Sequence, residues 1–454
     1  MTQQSVTHLL PDPPQARGLP LVGVLPEVWK DPLGFFLNAA QTYGNVVRVD
    51  MGPRPMFLVS DPDSVKYILQ ENNKNYVKGY EMVKPLMGEG LVSSDGDLWL
   101  RQRRLIQPLF NRPNLVSLLP MMVQAAQETF ETWKKRPTPP EPVDIAAEMM
   151  LLTQTIILRT MFSADMGERS QAIASDFATT LEYMNTMMVS PSPILQRLPT
   201  PTNKRFKDAL RRLNGVVYEI IADRRRKGNH SRNDLLAVLM EARDQDTGQG
   251  MSDQQMRDEV ITIFLAGHET TATLLSWTWY LLGQHPQVET RLRAEVDEVL
   301  QGHPASAEEI NRLVYTRQVL DEALRLYPPA WMFARRLVAD DEIGGFHLAA
   351  GQTIMLSPYV TQHLPTYWPD PFAFNPNRFT PEAIAARPRF AYFPFGGGPR
   401  QCVGMSFTLL EAPLLLSMIL QNFRLEPVPG MVVKPTPQAT LRPKPGVYMR
   451  IQPL

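Results

Sequence analysis

The sequence predicts a mostly helical α+β fold with a minor sheet, on three observations. From about residue 97 to residue 330, apolar residues recur with the helical period, broken only at proline-rich stretches 112–114, 136–142 and 191–202. Strand-like stretches are short and lie towards the two ends of the chain. No Gly/Ser linker, charge block or internal repeat divides the 454 residues, although that length exceeds the usual range of one domain. The expected organisation is a flexible N-terminal segment over residues 1–20, then one domain over 21–454.

The elements follow in order. After a proline- and glycine-punctuated entry, a short helix is expected through Phe35, Phe36 and Ala39. Val46 to Val49 and Pro55 to Val59, separated by Met-Gly-Pro-Arg, read as a hairpin. Asp61 to Glu71 reads as a helix with Asp61 as its cap. Ser252-Asp-Gln-Gln255 has the form of a capping box, and the helix it opens runs to about Gln284, ahead of Pro286. Roughly 33 residues at 1.5 Å each span about 50 Å, enough to cross a domain. Strands are expected again at Gly351 to Leu356, Phe423 to Glu426 and Val447 to Ile451, giving a sheet built from both ends of the chain.

Composition narrows the function classes. With 46 Lys+Arg against 46 Asp+Glu, no global charge draws the chain to nucleic acid or an anionic membrane. A single cysteine rules out an intramolecular disulfide and fits a reducing cytoplasm. Met1 to Pro20 has no apolar core of a signal peptide, and no run of 18 uninterrupted apolar residues suggests a transmembrane segment.

That cysteine, Cys402, lies in Phe395-Gly-Gly-Gly-Pro-Arg-Gln-Cys-Val-Gly404. One thiol cannot build a zinc site or an iron–sulfur cluster, but one thiolate suffices as the protein ligand of a heme iron. Phe395, Gly396, Gly398, Arg400, Cys402 and Gly404 carry the spacing Phe-Gly-x-Gly-x-Arg-x-Cys-x-Gly, which resembles the signature of the cytochrome P-450 family. By average residue frequencies such a match arises about once in 10^8 windows. The resemblance extends over nearly the whole chain, and it implies the P-450 fold, with a long central distal helix and a proximal cysteine loop. It further implies heme b (iron protoporphyrin IX) ligated by Cys402. The glycines of the loop would permit tight backbone turns, and Arg400 would pair with a heme propionate.

In the middle of the long helix, Ala266-Gly-His-Glu-Thr-Thr271 sets an acid beside an alcohol. It resembles the family's oxygen-activation motif. Thr270 would then hydrogen-bond bound O2 or its water, Glu269 would relay protons, and Gly267, beside Ala266, would leave room for the diatomic ligand. Two alternatives stay open, that Thr270 bonds back to its own helix and that Glu269 forms an ordinary ion pair. His268 faces away from Thr270 by helical rotation and is expected to be structural or part of a proton network.

Glu322-Ala-Leu-Arg325 places opposite charges on one helical face. The resemblance makes this the ExxR pair, completed by Arg378 of Pro376-Asn-Arg-Phe379, with Asn377 where many relatives carry an acid. Trp99 and Arg103 resemble the propionate-binding WxxxR helix. Arg335 resembles a further propionate ligand, with Arg336 as the register-shifted competitor. Arg101 and Arg104 are expected at the surface, facing a redox partner.

The family alignment assigns a substrate pocket to Tyr80, Met82, Val83, Leu86, Met87, Phe264, Ala330, Trp331 and Met332, together with the Met-rich stretch Leu181 to Val189. Lys78, Lys84 or Tyr80 could anchor a carboxylate at its mouth. The implied function is a cytoplasmic heme-thiolate monooxygenase that uses O2 to hydroxylate a hydrophobic small molecule, a fatty acid or other lipid-like compound. Electrons would come from a separate ferredoxin- or flavodoxin-type donor. Terpenoid, steroid or polyketide hydroxylation is the alternative substrate reading. Peroxide-dependent or isomerising chemistry and a non-enzymatic heme sensor are the competing functions.

Overall fold

In the computed structural model, which describes residues 10–52, 54–162, 168–189, 198–227 and 234–454, the chain forms two compact units. Each is discontinuous in sequence: Met1–Gly79 joins Ala330–Cys402, and Tyr80–Pro329 joins Val403–Leu454.

The first unit is organised by a five-stranded sheet. The expected hairpin forms from Val46–Met51 and Arg54–Val59, and Thr353–Leu356 then adds in parallel beside Arg54–Val59, with Phe57 opposite Ile354. Phe333–Leu337 and Tyr76–Val77 complete it on the other side. β-Branched side chains suit this half-buried pleated surface, and Val46, Val47, Val49, Leu58 and Val59 are all buried. Asp61 caps the next helix as expected by accepting from Ser64 N at 2.8 Å, but the regular helix covers only Pro62–Lys66 and continues as a π turn, Tyr67–Glu71. Within the expected leader, Ala16 N and Pro14 O each bond the backbone of Arg48.

Helices dominate the second unit. The long helix runs Asp253–Gln284, and its Ser252–Gln255 capping box is present in both directions. It packs along the helix Ile145–Phe162, where Thr153 Oγ1 donates to His268 O at 3.0 Å. Ile145–Phe162 is long and apolar enough to cross a membrane by length and composition, but most of it is buried against its neighbours.

The C-terminal strands differ from expectation. Phe423–Pro427 and Tyr448–Pro453 do not join the large sheet; they pair with each other and with Val143–Asp144 in the second unit. Two-residue strands such as Val143–Asp144 and Tyr76–Val77 are too short to show an alternating pattern, so the sequence could not reveal which partners they recruit.

Candidate active site

In the first unit the cysteine loop is shaped by its backbone. Cys402 N donates to Phe395 O at 2.9 Å, and Gln401 N donates to Gly398 O at 3.1 Å. Gly396 and Gly398 have φ of +67° and +63°, a region L side chains rarely adopt. A Cβ on Gly398 would stand 1.9 Å from Leu69 O, and one on Gly397 would stand 2.3 Å from the Phe390 ring. The sequence reading passed over Gly397. It also gave Gly404 a conformational role that the structure does not bear out, because φ there is −80°, open to any residue. Cys402 is exposed, while Phe395 and Arg400 are half-buried.

The two neighbouring arginines on Phe333–Leu337 are separated by the pleat. Arg335 is buried, with Nη1 donating to Ala334 O at 2.8 Å, and Arg336 is exposed on the other face. Arg378 lies in the turn Pro376–Phe379, where Nη2 donates to Asp370 O at 2.9 Å.

In the second unit the long helix is buried at every position from Met256 to Trp279 except three, Ala266, Gly267 and Thr270. Ala266 and Thr270 stand one turn apart on one side, so the helix opens a single window. Thr270 Oγ1 donates to Ala266 O at 2.7 Å, the back-bond that the sequence left open as an alternative. Its hydrogen is thereby committed, and what it offers outward is its lone pairs.

Gly267 does not leave the space expected of it. A Cβ there would lie 3.2 Å from Ile157 Cδ1, so the missing side chain admits the neighbouring helix. Phe264 is buried, stacked on Phe177 at 3.9 Å and packed against His268, on a face turned away from Thr270, where it lines a small apolar cavity with Leu158 and Phe162. His268 shares that face: Nδ1 bonds Phe264 O at 2.7 Å, and burial lowers its pKa below the ordinary histidine value, keeping the ring neutral.

Glu269 is only 3% exposed, and its partners were not legible in the sequence. Its Oε1 accepts from Thr440 Oγ1 at 2.7 Å and from Arg442 Nη2 and Nε at 2.6 and 3.0 Å. Both donors come from the hairpin of Lys434–Pro437 and Leu441–Lys444. The hairpin is fixed to the helix by Trp277 Nε1, which donates to Leu441 O at 2.7 Å. A second acid went unnoticed altogether. Glu411, on Met405–Asn422, is fully buried, and burial pushes its pKa up to about 8, against a smaller opposing pull from the Thr271 hydroxyl.

Glu322 and Arg325 do come together, with Nε to Oε2 at 2.7 Å and Nη2 to Oε1 at 2.8 Å, both side chains fully buried. A bidentate fork is what makes an ion pair tolerable without water. Trp99 and Arg103 are half-buried on the helix Gly96–Ile106. Arg104 is exposed, as expected, and pairs with Asp246 at 2.6 Å, while Arg101 is half-buried and donates to Gly250 O at 3.0 Å.

Among the expected pocket residues, Leu86 and Met87 are buried in the second unit, and Tyr80 and Val83 are half-buried. Trp331 and Met332 pack on the apolar cluster of Val47, Val49, Leu58 and Met355 in the first unit, while Ala330 is exposed. In the Met-rich helix, Tyr183 stacks on Phe206 at 4.0 Å and Met184 is buried. The side chains of Met82 and of residues 187–189 lie outside those described. Lys84 is held by Glu81 at 3.2 Å and Glu89 at 3.0 Å, so its charge is already answered within the chain.

The donor set fits a heme. Among the described residues no group of three or more His, Cys, Asp or Glu side chains could hold a metal ion. A metal held through Cys402 alone must therefore bring its other ligands with it, as a porphyrin does.

These features define a heme-thiolate oxidoreductase. The family model for Cytochrome P450 matches residues 13–450, and the chain belongs to that family. It is 39% identical over 428 residues to cyclooctatin synthase of Streptomyces melanosporofaciens, covering 93% of this chain and 92% of that protein. It is 36% identical to cyclooctat-9-en-7-ol 5-monooxygenase of the same organism (91% and 89% covered) and 33% identical to pentalenene oxygenase of Streptomyces avermitilis (93% of each). The crystal structure of the cytochrome P450DA heme domain superposes with a TM-score of 0.89 at 28% identity, covering 98% of each chain. The protein is thus a P450 monooxygenase with a protoporphyrin IX heme. Enzymes of this class use O2 and a redox partner and bind hydrophobic substrates.

Proposed function

We propose that this enzyme hydroxylates a cyclic terpene or terpene alcohol in the cytoplasm, with electrons from a separate ferredoxin- or flavodoxin-type donor. This replaces the fatty-acid reading with its terpenoid alternative. The observation that carries it is the set of relatives: two of the three just named are by name oxygenases, of cyclooctat-9-en-7-ol and of pentalenene, both cyclic terpenoids, and the third is named for cyclooctatin. The pairing of Lys84 with Glu81 and Glu89 agrees, because a carboxylate-bearing substrate would have to compete for that cation.

Heme, when bound, supplies the activation of O2, one oxygen atom going to the substrate and the other to water with two electrons and two protons. Cys402 would hold the heme as its thiolate ligand, and Arg400, Arg335, Arg103 and Trp99 would answer its propionates. Glu322 and Arg325 form a buried ion pair within the helix Val314–Leu326. Arg335 is preferred to Arg336 because it is the buried one. Thr270 offers lone pairs at the window, where they would accept from a water and hold it in place. Glu269 moves protons towards that window when Arg442, whose side chain is 35% exposed, swings from it to solvent.

The test is a spin-state titration of the ferric protein with cyclic terpene hydrocarbons and alcohols beside fatty acids of matched size, followed by product analysis with reconstituted electron donors. Low-to-high spin conversion and an added hydroxyl with the terpenes are expected. Conversion by fatty acids alone would overturn the substrate assignment.

A further inference from the structure

Two adjacent acids on the long helix serve neither the window nor the proton path. Asp258 and Glu259 are both buried, and each accepts from the backbone of the segment that follows the short helix Lys84–Met87. Asp258 Oδ2 takes Glu89 N at 2.9 Å, and Glu259 Oε2 takes Leu91 N at 3.0 Å. Asp258 is itself steadied by Arg257 Nη1 at 2.7 Å, whose Nε donates to Asn214 Oδ1.

The segment is cut to fit. A Cβ on Gly88, at φ +56°, would stand 2.2 Å from the Asp258 carboxylate, and one on Gly90 would stand 2.2 Å from Thr262 Oγ1. Ser93 Oγ donates back to Gly88 O at 2.7 Å, and Gln102 Nε2 donates to Glu89 O at 2.6 Å. Thr262, Ala266 and Thr270 follow one another at four-residue spacing along one side of the helix. The segment covers that side at Asp258 and Thr262, and the window opens one turn later, about 6 Å along the axis.

We propose that Asp258 and Glu259 are positioning residues that clasp the 88–91 backbone to the long helix and so place the wall at the end of the window, which sets the size of molecule the enzyme accepts. The inference rests on the heme-thiolate monooxygenase reading, since it takes the window as the reacting face. The buried carboxylates act through backbone amides, so the wall is set without dependence on the side chains at 89 and 91.

The test uses two nitrogen ligands of ferric heme, imidazole and the bulkier 4-phenylimidazole, in wild-type holoenzyme and in Asp258→Ala, Glu259→Ala, Glu259→Gln and Gly88→Ala. Imidazole reports access to iron, and the ratio of the two affinities reports the wall. The alanine variants, Gly88→Ala included, are expected to change that ratio by about tenfold, with imidazole affinity nearly constant, as loss of one buried hydrogen bond implies. Glu259→Gln keeps an acceptor for Leu91 N and should restore the wild-type ratio. In wild type, the Glu89 and Leu91 amides should exchange with deuterium as slowly as those of the long helix, a measurement that needs no variant. An unchanged ratio in the alanine variants, or fast exchange at both amides, overturns the clasp alone. Wild-type protein without the red-shifted band of its reduced carbon monoxide complex overturns the heme-thiolate reading and the clasp with it.

Discussion

The cysteine loop and the middle of the long helix achieve order by different means. In the loop, backbone conformation does the positioning: Gly396 and Gly398 at positive φ, Gly397 against the Phe390 ring, and one hydrogen bond from the Cys402 amide to Phe395 O. In the helix the backbone is regular and side chains do the positioning: Thr270 on Ala266 O, and Glu269 on Thr440 and Arg442. A loop that depends on steric exclusion tolerates almost no substitution. A set of hydrogen bonds ending in the half-exposed Arg442 can give way in steps.

Substitutions test that contrast. Cys402→Ala should lose turnover altogether, along with the red-shifted absorption band of the reduced carbon monoxide complex; retention of that band would refute the ligand assignment. Gly398→Ala must relieve both a positive φ and a Cβ 1.9 Å from Leu69 O, and should cost about 3 kcal/mol in urea unfolding of the holoenzyme. A cost near zero would show the loop to be pliable. Arg442→Ala leaves the Glu269 carboxylate buried with one neutral partner, Thr440, and should slow turnover by about tenfold at unchanged heme content. Unchanged turnover would separate Glu269 and Arg442 from the proton path. Thr270→Ala should lower product per electron by about tenfold and raise peroxide release, while heme content stays the same.

Glu411 gives a smaller and purely thermodynamic signal. Its folded pKa of about 8 lies above the ordinary carboxylate value, so between those two values the folded state holds a proton that the unfolded state has lost. Stability from this group is therefore intact in acid, declines as pH rises through that window by about 1.4 kcal/mol per unit, and levels off above it. Glu411→Gln should flatten that slope in chemical unfolding at a series of pH values. An identical slope in the variant would mean that the group is not protonated in the folded protein.

Local signals in the sequence were reliable where a short stretch carries its own physics. The Ser252–Gln255 box, the Asp61 cap, the Val46–Val59 hairpin and the Glu322–Arg325 pair all rest on neighbours within a few residues, and each formed as read. Errors appeared where a rule about one residue ignored what packs against it. Gly267 read as room for a ligand because it lacks a side chain, yet Ile157 occupies that direction. Phe264, assigned to the pocket by the family alignment, is carried by its helical rotation to Phe177 and His268 rather than to the side of Thr270.

By itself the sequence determined the chemistry: a single thiolate in a glycine-shaped loop, an acid beside an alcohol in one long helix, and a mostly helical α+β fold around them. These follow from residue type and from spacings of three to ten positions, which local geometry converts directly into structure. Only the tertiary structure decided which of those groups are held, and by what. Arg442 and Thr440 reach Glu269 from a hairpin far along the chain, Glu411 is buried beneath the same helix, and Asp258 and Glu259 grip a backbone that precedes them by well over a hundred residues. Contacts of that kind depend on the packing of whole elements, and no local pattern of side chains encodes them.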